Sequence, residues 1–282
     1  MNRRILEAVV DELRSRSDGD GIDARIDRIT VGDAAVMVEL EWAGDRRTRA
    51  GLAYRPPHPV PRLPTDVDGL VAAALQPVKG LSGAVRRAIS IAGLNALSAP
   101  YVGWIPGDPM ALLEEDVSTV ATVGLFRPAF GRFSDVEVRV IERRANPPPP
   151  EPEELPPDVR VSMYGPDAAV TALSGAEVVF VTGSTLAYGG IEQYLDAIEE
   201  SATTVLIGST ASFLAEPAFE AGIDVVAGAS VADVDAARAA VRSGACGSGL
   251  HDAGVRKGYV TTGRPAGIAT DRDVTNHTRS YQ

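Results

Sequence analysis

From residue 119 onward, short apolar runs alternate with stretches of helical spacing. The runs fall at residues 119–125, 136–141, 177–182, 204–208 and 224–227. Helical patterns follow at 190–200, 216–221 and 231–243, the last capped by Ser230 or Asp233. Strands that alternate with helices pair in parallel, because a parallel connection must cross one face of the sheet. This half of the chain is therefore predicted to be a Rossmann-like unit.

The residues before this alternation have a different pattern. An amphipathic helix is predicted at 3–15, followed by three strands at 22–31, 34–42 and 48–54 that are joined by hairpin turns. A proline-rich loop then leads to helices at 66–75 and 81–98, the second apolar on nearly every side. These elements predict an α+β unit in which helices cover an antiparallel meander.

The fold class is therefore predicted to be α/β, with an α+β domain at 1–112 and a Rossmann-like domain at 113–258. The proline-rich, acidic residues 146–157 are predicted to be a stiff loop inside the second domain. The polar, glycine-containing residues 259–282 are predicted to be a disordered tail.

The charged residues restrict the class of partner. The formal net charge is −11, and Lys79 and Lys257 are the only lysines among 27 basic residues. An acidic, lysine-poor surface suits a halophilic cytoplasm, where salt screens the repulsion between carboxylates. It disfavours nucleic acid, because no basic patch is present to release phosphate counterions.

Cysteine content and apolar run length restrict the compartment and the metal chemistry. Cys246 is the only cysteine, so an internal disulfide and a cysteine-clustered metal site are excluded within one chain. No run of 18 apolar residues suggests a membrane span. We expect a cytoplasmic protein with no membrane partner, and a homodimer is the prior expectation for its assembly.

Small hydroxyl residues follow three neighbouring predicted strands. Thr182, Gly183, Ser184 and Thr185 end one strand, and Gly208-Ser209 and residues 228–230 end the next two. In open α/β sheets, ligands bind outside the carboxyl ends of the strands. The three loops are therefore expected to form one ligand-facing rim, although small residues also serve simply to permit tight turns.

Further candidates lie on this rim or beside it. The segment 123–133 lacks the glycine spacing of a dinucleotide loop, but Arg127 and Arg132 are suited to hold a carboxylate or phosphate. Glu142 is placed either to contact a ribose or to pair with Arg143 or Arg144. Asn95 is either a satisfied core amide or a ligand contact. The three histidines form no triad pattern, and Cys246 with His251 is either a weak metal pair or a glycine-rich turn.

Six blocks, at 91–98, 123–133, 140–143, 179–186, 205–210 and 221–228, resemble a prokaryotic family of proposed heavy-metal chelation proteins, a domain of unknown function. The resemblance implies a domain similar to the enolase N-terminal domain, packed on a Rossmann-like domain with a ligand site in the cleft between them. The family's cleft corresponds here to Asn95, Gly124, Phe126, Arg127, Glu142, Thr182, Gly183, Thr185 and Gly208. The turns at 187–190 and 209–212 depart from the commoner form of the family.

The expected function is the binding of a small anionic molecule or a metal complex in the interdomain cleft. Arg127 would neutralise a carboxylate, Glu142 and Asn95 would supply oxygen atoms, and the 182–185 loop would supply amides. Oxygen ligands favour hard or borderline ions held through a chelator. The alternative is a Rossmann-type transferase, dependent on S-adenosylmethionine or another nucleotide-like cosubstrate, with Glu142 on the ribose. A scaffold with an empty cleft is the third option.

Overall fold

A computed structural model describes residues 5–17, 22–42, 45–143, 150–151 and 155–270. Its N-terminal unit contains the strands β1 (Ala24–Val31), β2 (Ala35–Trp42) and β3 (Asp45–Tyr54), which form an antiparallel sheet in the order β1-β2-β3. The helices are α1 (Ile5–Ser15), α2 (Val67–Leu75) and α3 (Gly80–Ser98). The α+β unit predicted from the sequence is confirmed.

Local sequence accounts for the helices α2 and α3 of this unit. The carboxylate of Asp66 accepts a hydrogen bond from the Gly69 amide at 2.7 Å and so begins α2. From Ala84 to Ser98, α3 is buried at every position except Arg86. Because a helix that is apolar on all sides has neighbours on all sides, α3 lies between the first sheet and the second unit.

The second unit is an eight-stranded, mostly parallel sheet. Its strands are β4 (Ile105–Pro106), β5 (Thr119–Val123), β6 (Glu137–Ile141), β7 (Arg160–Tyr164), β8 (Val178–Thr182), β9 (Thr203–Ile207), β10 (Val225–Val231) and β11 (Val255–Thr261). Its helices are α4 (Arg127–Phe130), α5 (Ala169–Leu173), α6 (Ser184–Tyr188), α7 (Ile191–Leu195), α8 (Glu216–Glu220), α9 (Val234–Arg242) and α10 (Ser248–His251). The predicted α/β class is confirmed.

Strand order locates the natural binding edge of this sheet. The order is β4-β11-β10-β9-β8-β5-β6-β7, with β11 antiparallel to β10 and β4 antiparallel to β11. The chain runs outward from β5 to β7, returns to the other side of β5 as β8, and then continues outward to β10. This is the order of doubly wound dinucleotide-binding folds, in which the reversal between β5 and β8 opens a crevice at the carboxyl edge.

The two faces of the large sheet pack against different partners. Val123, Val179 and Leu206 belong to a core shared with α1, α2 and α3 of the N-terminal unit. Phe180, Val205 and Tyr259 belong to a second core on the opposite face. The two units thus share one continuous apolar core, which fixes α3 against the carboxyl edge.

The structure corrects three sequence predictions about this unit. The strands β4, β7 and β11 were not predicted, and β4 precedes the predicted boundary at 112/113 although it pairs with β11. The predicted disordered tail is wrong for residues 259–270, because β11 continues to Thr261 and Ile268 is fully buried. The Ala269 amide also donates to the Leu112 carbonyl at 2.8 Å, so this segment is fixed to the sheet.

Other predictions fall partly outside the described residues. Most of the predicted proline-rich loop, residues 146–149 and 152–154, lies there, as do residues 1–4 and the end of the predicted tail, 271–282. Within the described ranges, no helix is both long enough and apolar enough to span a bilayer.

Candidate ligand site at the carboxyl edge of the large sheet

Asn95 joins the two units rather than facing a ligand. Its amide nitrogen donates to the Leu52 carbonyl at 2.7 Å and to the Ser209 carbonyl at 3.0 Å. The residue is 2 % exposed, and its Oδ1 has no hydrogen-bond partner among the described residues. The sequence left Asn95 as either a satisfied core amide or a ligand contact. The nitrogen behaves as a core amide, because both carbonyls that it bonds belong to backbone packed against α3.

The hydroxyl-rich turn after β8 is closed on itself. The Thr185 hydroxyl donates to the Thr182 carbonyl at 2.7 Å, and the Thr182 and Ser184 hydroxyls are 3.2 Å apart. A Cβ on Gly183 would lie 3.0 Å from the Ala211 nitrogen, so this glycine permits the close approach of the 3₁₀ turn Ser209–Ala211. Gly183 and Thr185 are buried, which leaves Thr182 and Ser184 half-exposed. The predicted 182–185 ligand loop is therefore largely a packing turn that leads directly into α6.

Gly124 and Thr182 meet at the point where the strand order reverses. Gly124 follows β5 with φ of 104°, and a Cβ there would lie 3.0 Å from Thr182 Cγ2. The family resemblance places Gly124 and Thr182 in one cleft, and here the two residues lie side by side. The crevice between β5 and β8 is thus occupied by the Thr182 side chain, and the free space lies to one side of it.

Glu142 lies at another part of this edge, directly after β6 and near Tyr194. Burial raises the pKa of Tyr194, and the charge of Glu142 adds to that rise. The neighbouring Arg143 guanidinium lies 3.8 Å from the centre of the Tyr188 ring, and that ring lies 6.3 Å from the Tyr54 ring. Burial also raises the pKa of Tyr188 far above its ordinary value.

A cavity of about 510 Å³ opens at the carboxyl ends of β5, β9 and β10. Its lining includes three predicted site residues, Phe126, Gly208 and Ser209. Asn95, Arg127, Glu142 and the 182–185 turn do not line it, and all of its lining residues lie between 107 and 258. The expectation that the N-terminal unit roofs the ligand site is therefore wrong for this cavity.

Three charged groups converge on the mouth of the cavity. The Asp108 carboxylate lies 2.8 Å from Lys257 Nζ and 3.6 Å from an Arg132 guanidinium nitrogen. Its other oxygen accepts a hydrogen bond from the Met110 amide at 3.2 Å, which holds the carboxylate in place. Two cations thus share one carboxylate, so the formal charge of this trio is positive. We call Asp108, Arg132 and Lys257 the charged trio.

The structure separates the two arginines that the sequence offered for an anion. Arg127 begins α4 and is partly buried, whereas Arg132 follows that single helical turn and reaches the cavity. The sequence reading missed Asp108 and gave Lys257 no role in the site. Lys257 had a signal that could have been used, because it is one of two lysines in a chain whose other basic residues are arginines.

His251 also lines the cavity. From the sequence, it was considered only as a metal partner of Cys246. The Nδ1 atom of His251 lies 3.0 Å from the Val255 carbonyl oxygen. Cys246, which one of the two sequence interpretations pairs with His251 at a metal, is an exposed free thiol. Within the described ranges, no three His, Cys, Asp or Glu side chains gather in a way that would hold a metal ion.

Comparison with known proteins identifies the fold and the family. A protein of unknown function from the DUF364 family of Pyrococcus horikoshii superposes with a TM-score of 0.72 and 18 % identity, over 91 % of this chain and 99 % of that one. A second DUF364 protein, from Desulfitobacterium hafniense, gives 0.68 and 17 %, over 91 % and 97 %. No curated protein matches the sequence at a significant level.

The family assignment rests on the sequence of the second unit. The profile of DUF364, whose description is "Putative heavy-metal chelation", matches residues 108–259, more than half of the chain. The match begins at Asp108 and ends at Tyr259, so it includes the charged trio. The chain therefore belongs to the DUF364 family.

Proposed function

We propose that this protein binds a small organic anion, of the polycarboxylate class that chelates metal ions, in the carboxyl-edge cavity. The charged trio is the observation that carries the proposal, because two cations beside one carboxylate attract a further anion. The volume lies within the range of small-molecule sites, about 300–1,000 Å³. Apolar walls from Met110, Phe126 and Leu250 leave the polar groups to orient the ligand.

Two observations support a polycarboxylate as the class of anion: the cationic side chains of the charged trio, and the heavy-metal chelation in the description of the family. Carboxylate oxygens suit hard and borderline ions, and a polycarboxylate carries such an ion as a complex. On this proposal the protein supplies the complementary charge, and the ligand supplies the metal-binding atoms. The proposal keeps the expected small anionic ligand but moves its site from the interdomain cleft to the cavity.

Calorimetry of the full chain with citrate tests the proposal. Lys257→Ala should weaken citrate binding about tenfold, as expected for the loss of one partly exposed charged hydrogen bond. Lys79→Ala is the matched control, because Lys79 is the only other lysine and its exposed side chain makes no capping hydrogen bond at the start of α3. Equal affinities for the two variants, or no binding by the unaltered chain, would contradict the proposal.

A second function, transfer chemistry with a nucleotide-like cosubstrate, is favoured by one observation. Glu142 follows β6, the second strand in the doubly wound order, where an acid binds the ribose in dinucleotide folds. Titration with S-adenosylmethionine and with nicotinamide dinucleotides tests this function. Micromolar binding that Glu142→Gln abolishes and Lys257→Ala leaves unchanged would favour the enzyme over the anion-binding protein.

A further inference from the structure

His251 has one ring nitrogen committed to the protein backbone. The imidazole lines the cavity at the end of α10, and its Nδ1 lies 3.0 Å from the Val255 carbonyl oxygen. A carbonyl oxygen only accepts hydrogen bonds, so Nδ1 must carry the hydrogen. In the neutral ring, the nitrogen left for a ligand is therefore an unprotonated Nε2, which accepts.

The charged trio supplies a different kind of contact. Lys257 and Arg132 only donate hydrogen bonds. Asp108 accepts, but one of its oxygens already receives the Met110 amide and the other lies 2.8 Å from Lys257. His251 therefore complements the trio: the cations suit a carboxylate, and Nε2 suits a group that donates.

We infer that Nε2 of His251 accepts a hydrogen bond from a hydroxyl group of the bound anion, so the cavity selects hydroxycarboxylates over carboxylates without a hydroxyl. This inference rests on the proposed function and narrows its ligand class. Sites that hydrogen-bond a ligand hydroxyl reject the analogue that lacks it, because an acceptor that the ligand covers is then left unpaired.

Citrate and tricarballylate form the matched pair of probes, because they differ by the single hydroxyl of citrate. Calorimetry of the full chain should show citrate bound about five- to tenfold more tightly, the value of one hydrogen bond. In His251→Asn the ratio of the citrate affinity to the tricarballylate affinity should fall to about one. The asparagine amide takes the position of Nδ1 and retains the donation to Val255, whereas nothing replaces Nε2. His251→Gln, which restores an acceptor near the Nε2 position, should recover part of the preference.

The outcomes separate the two proposals. Equal binding of both probes by the unaltered chain overturns the role of His251 and leaves the anion site standing. Binding of neither probe overturns the anion site, and the inference with it.

Nitrogen NMR of the chain with labelled histidine gives a readout that does not depend on affinity. The His251 signals, assigned by their loss in His251→Asn, should show Nδ1 protonated and Nε2 bare, and citrate should shift Nε2. A protonated Nε2 in the neutral ring, or signals that citrate at saturation does not move, would overturn the inference.

Discussion

The junction between the two units and the carboxyl-edge cavity use the same kinds of small residue for opposite purposes. At the junction, a Cβ on Gly32 would lie 1.9 Å from the Val241 carbonyl oxygen of α9. At the cavity, a Cβ on Gly208 or Gly247 would meet nothing within 4 Å. Gly32 therefore lets two backbones touch at the junction, whereas Gly208 and Gly247 leave space beside the cavity. Only the surroundings of a glycine distinguish these two uses.

Charged groups show the same contrast. At the junction, Glu39 of β2 is fully buried and receives two hydrogen bonds from Arg238 of α9, one of them 2.7 Å long. These bonds raise the pKa of Arg238 above its ordinary value. At the cavity, by contrast, one carboxylate is shared by two cations that are about half-exposed. The Glu39–Arg238 pair balances its own charge, whereas the charged trio keeps a net positive charge that attracts an anion.

The largest effect is expected from breaking the pair at the junction. Arg238→Leu leaves the buried Glu39 carboxylate without its partner, which should cost about 3–5 kcal/mol of unfolding free energy. Urea unfolding followed by circular dichroism measures this cost. The double variant Glu39→Leu with Arg238→Leu should recover most of it, since no unpaired charge remains. A loss below about 1 kcal/mol in the single variant would show that water reaches Glu39.

The next effect compares two glycines. Gly32→Ala should destabilise the chain by about 2–3 kcal/mol, because its Cβ would overlap the backbone of α9. The matched control is Gly131→Ala, at the C-terminal end of α4 beside the cavity. Its φ of −65° suits alanine and a Cβ meets nothing there, so stability should stay the same or rise by up to about 1 kcal/mol. Equal losses in both variants would contradict the contrast between the two regions.

The variant Asn95→Leu tests whether the Asn95 amide, which bonds carbonyls of both units, contributes only to stability and not to ligand binding. Two backbone carbonyls lose their buried donor, so unfolding free energy should fall by about 1–3 kcal/mol. Citrate affinity, measured by calorimetry on the folded variant, should not change, because Asn95 does not line the cavity. A tenfold loss of affinity with unchanged stability would return Asn95 to the ligand site.

The smallest effect lies at the amino edge of the large sheet, away from both regions. The hydrogen bond from the Ser118 hydroxyl to Glu177, 2.6 Å long, holds the pKa of that carboxyl below its ordinary 4.5, and the Ser118 and Thr119 amides add to this. Its stabilisation is therefore complete above about pH 4.5 and disappears as pH falls through the lowered value. Glu177→Gln should lower the melting temperature by about 1–3 °C at pH 7.

The same experiment at lower pH supplies the check on Glu177. The difference in melting temperature between the variant and the unaltered chain should shrink towards pH 3. Glu115→Gln, at another exposed glutamate, is the control and should show no comparable pH dependence. A difference that grows on acidification would mean that the carboxylate does not stabilise the fold.

Much of the fold was predictable because its signals are local. Apolar runs at five strand positions and the helical spacing around α3 and α9 were read directly from the sequence. Of the two candidate caps of α9, Ser230 and Asp233, the structure has Asp233. The strands that were missed lie near the sheet margins. In β7 every residue is at least partly exposed, and β11 carries Arg256 and Lys257 as its second and third residues. Marginal strands need no continuous apolar run, so their pattern resembles a loop.

The site was predicted less well than the fold, and Phe126, Gly208 and Ser209 show why. These three residues line the cavity at the carboxyl edge, Phe126 taken from the family resemblance and the other two from their position after a strand. The strand-end reasoning also named Thr182, Gly183 and Thr185 as ligand contacts. Their hydroxyl and amide groups are instead occupied by the turn itself and by the neighbouring turn. Residue type indicates which groups are able to bind, but neighbouring elements determine which of them remain free.

The sequence alone determined that this chain forms an α+β unit followed by a mostly parallel sheet, because strand and helix periodicity reflect burial within a few residues. The tertiary structure decided where space for a ligand remains. Asp108 and Lys257 are 149 residues apart in sequence, yet they meet at 2.8 Å because β11 returns antiparallel beside β10 and β4. Such a meeting depends on the packing of distant elements, which no local pattern records.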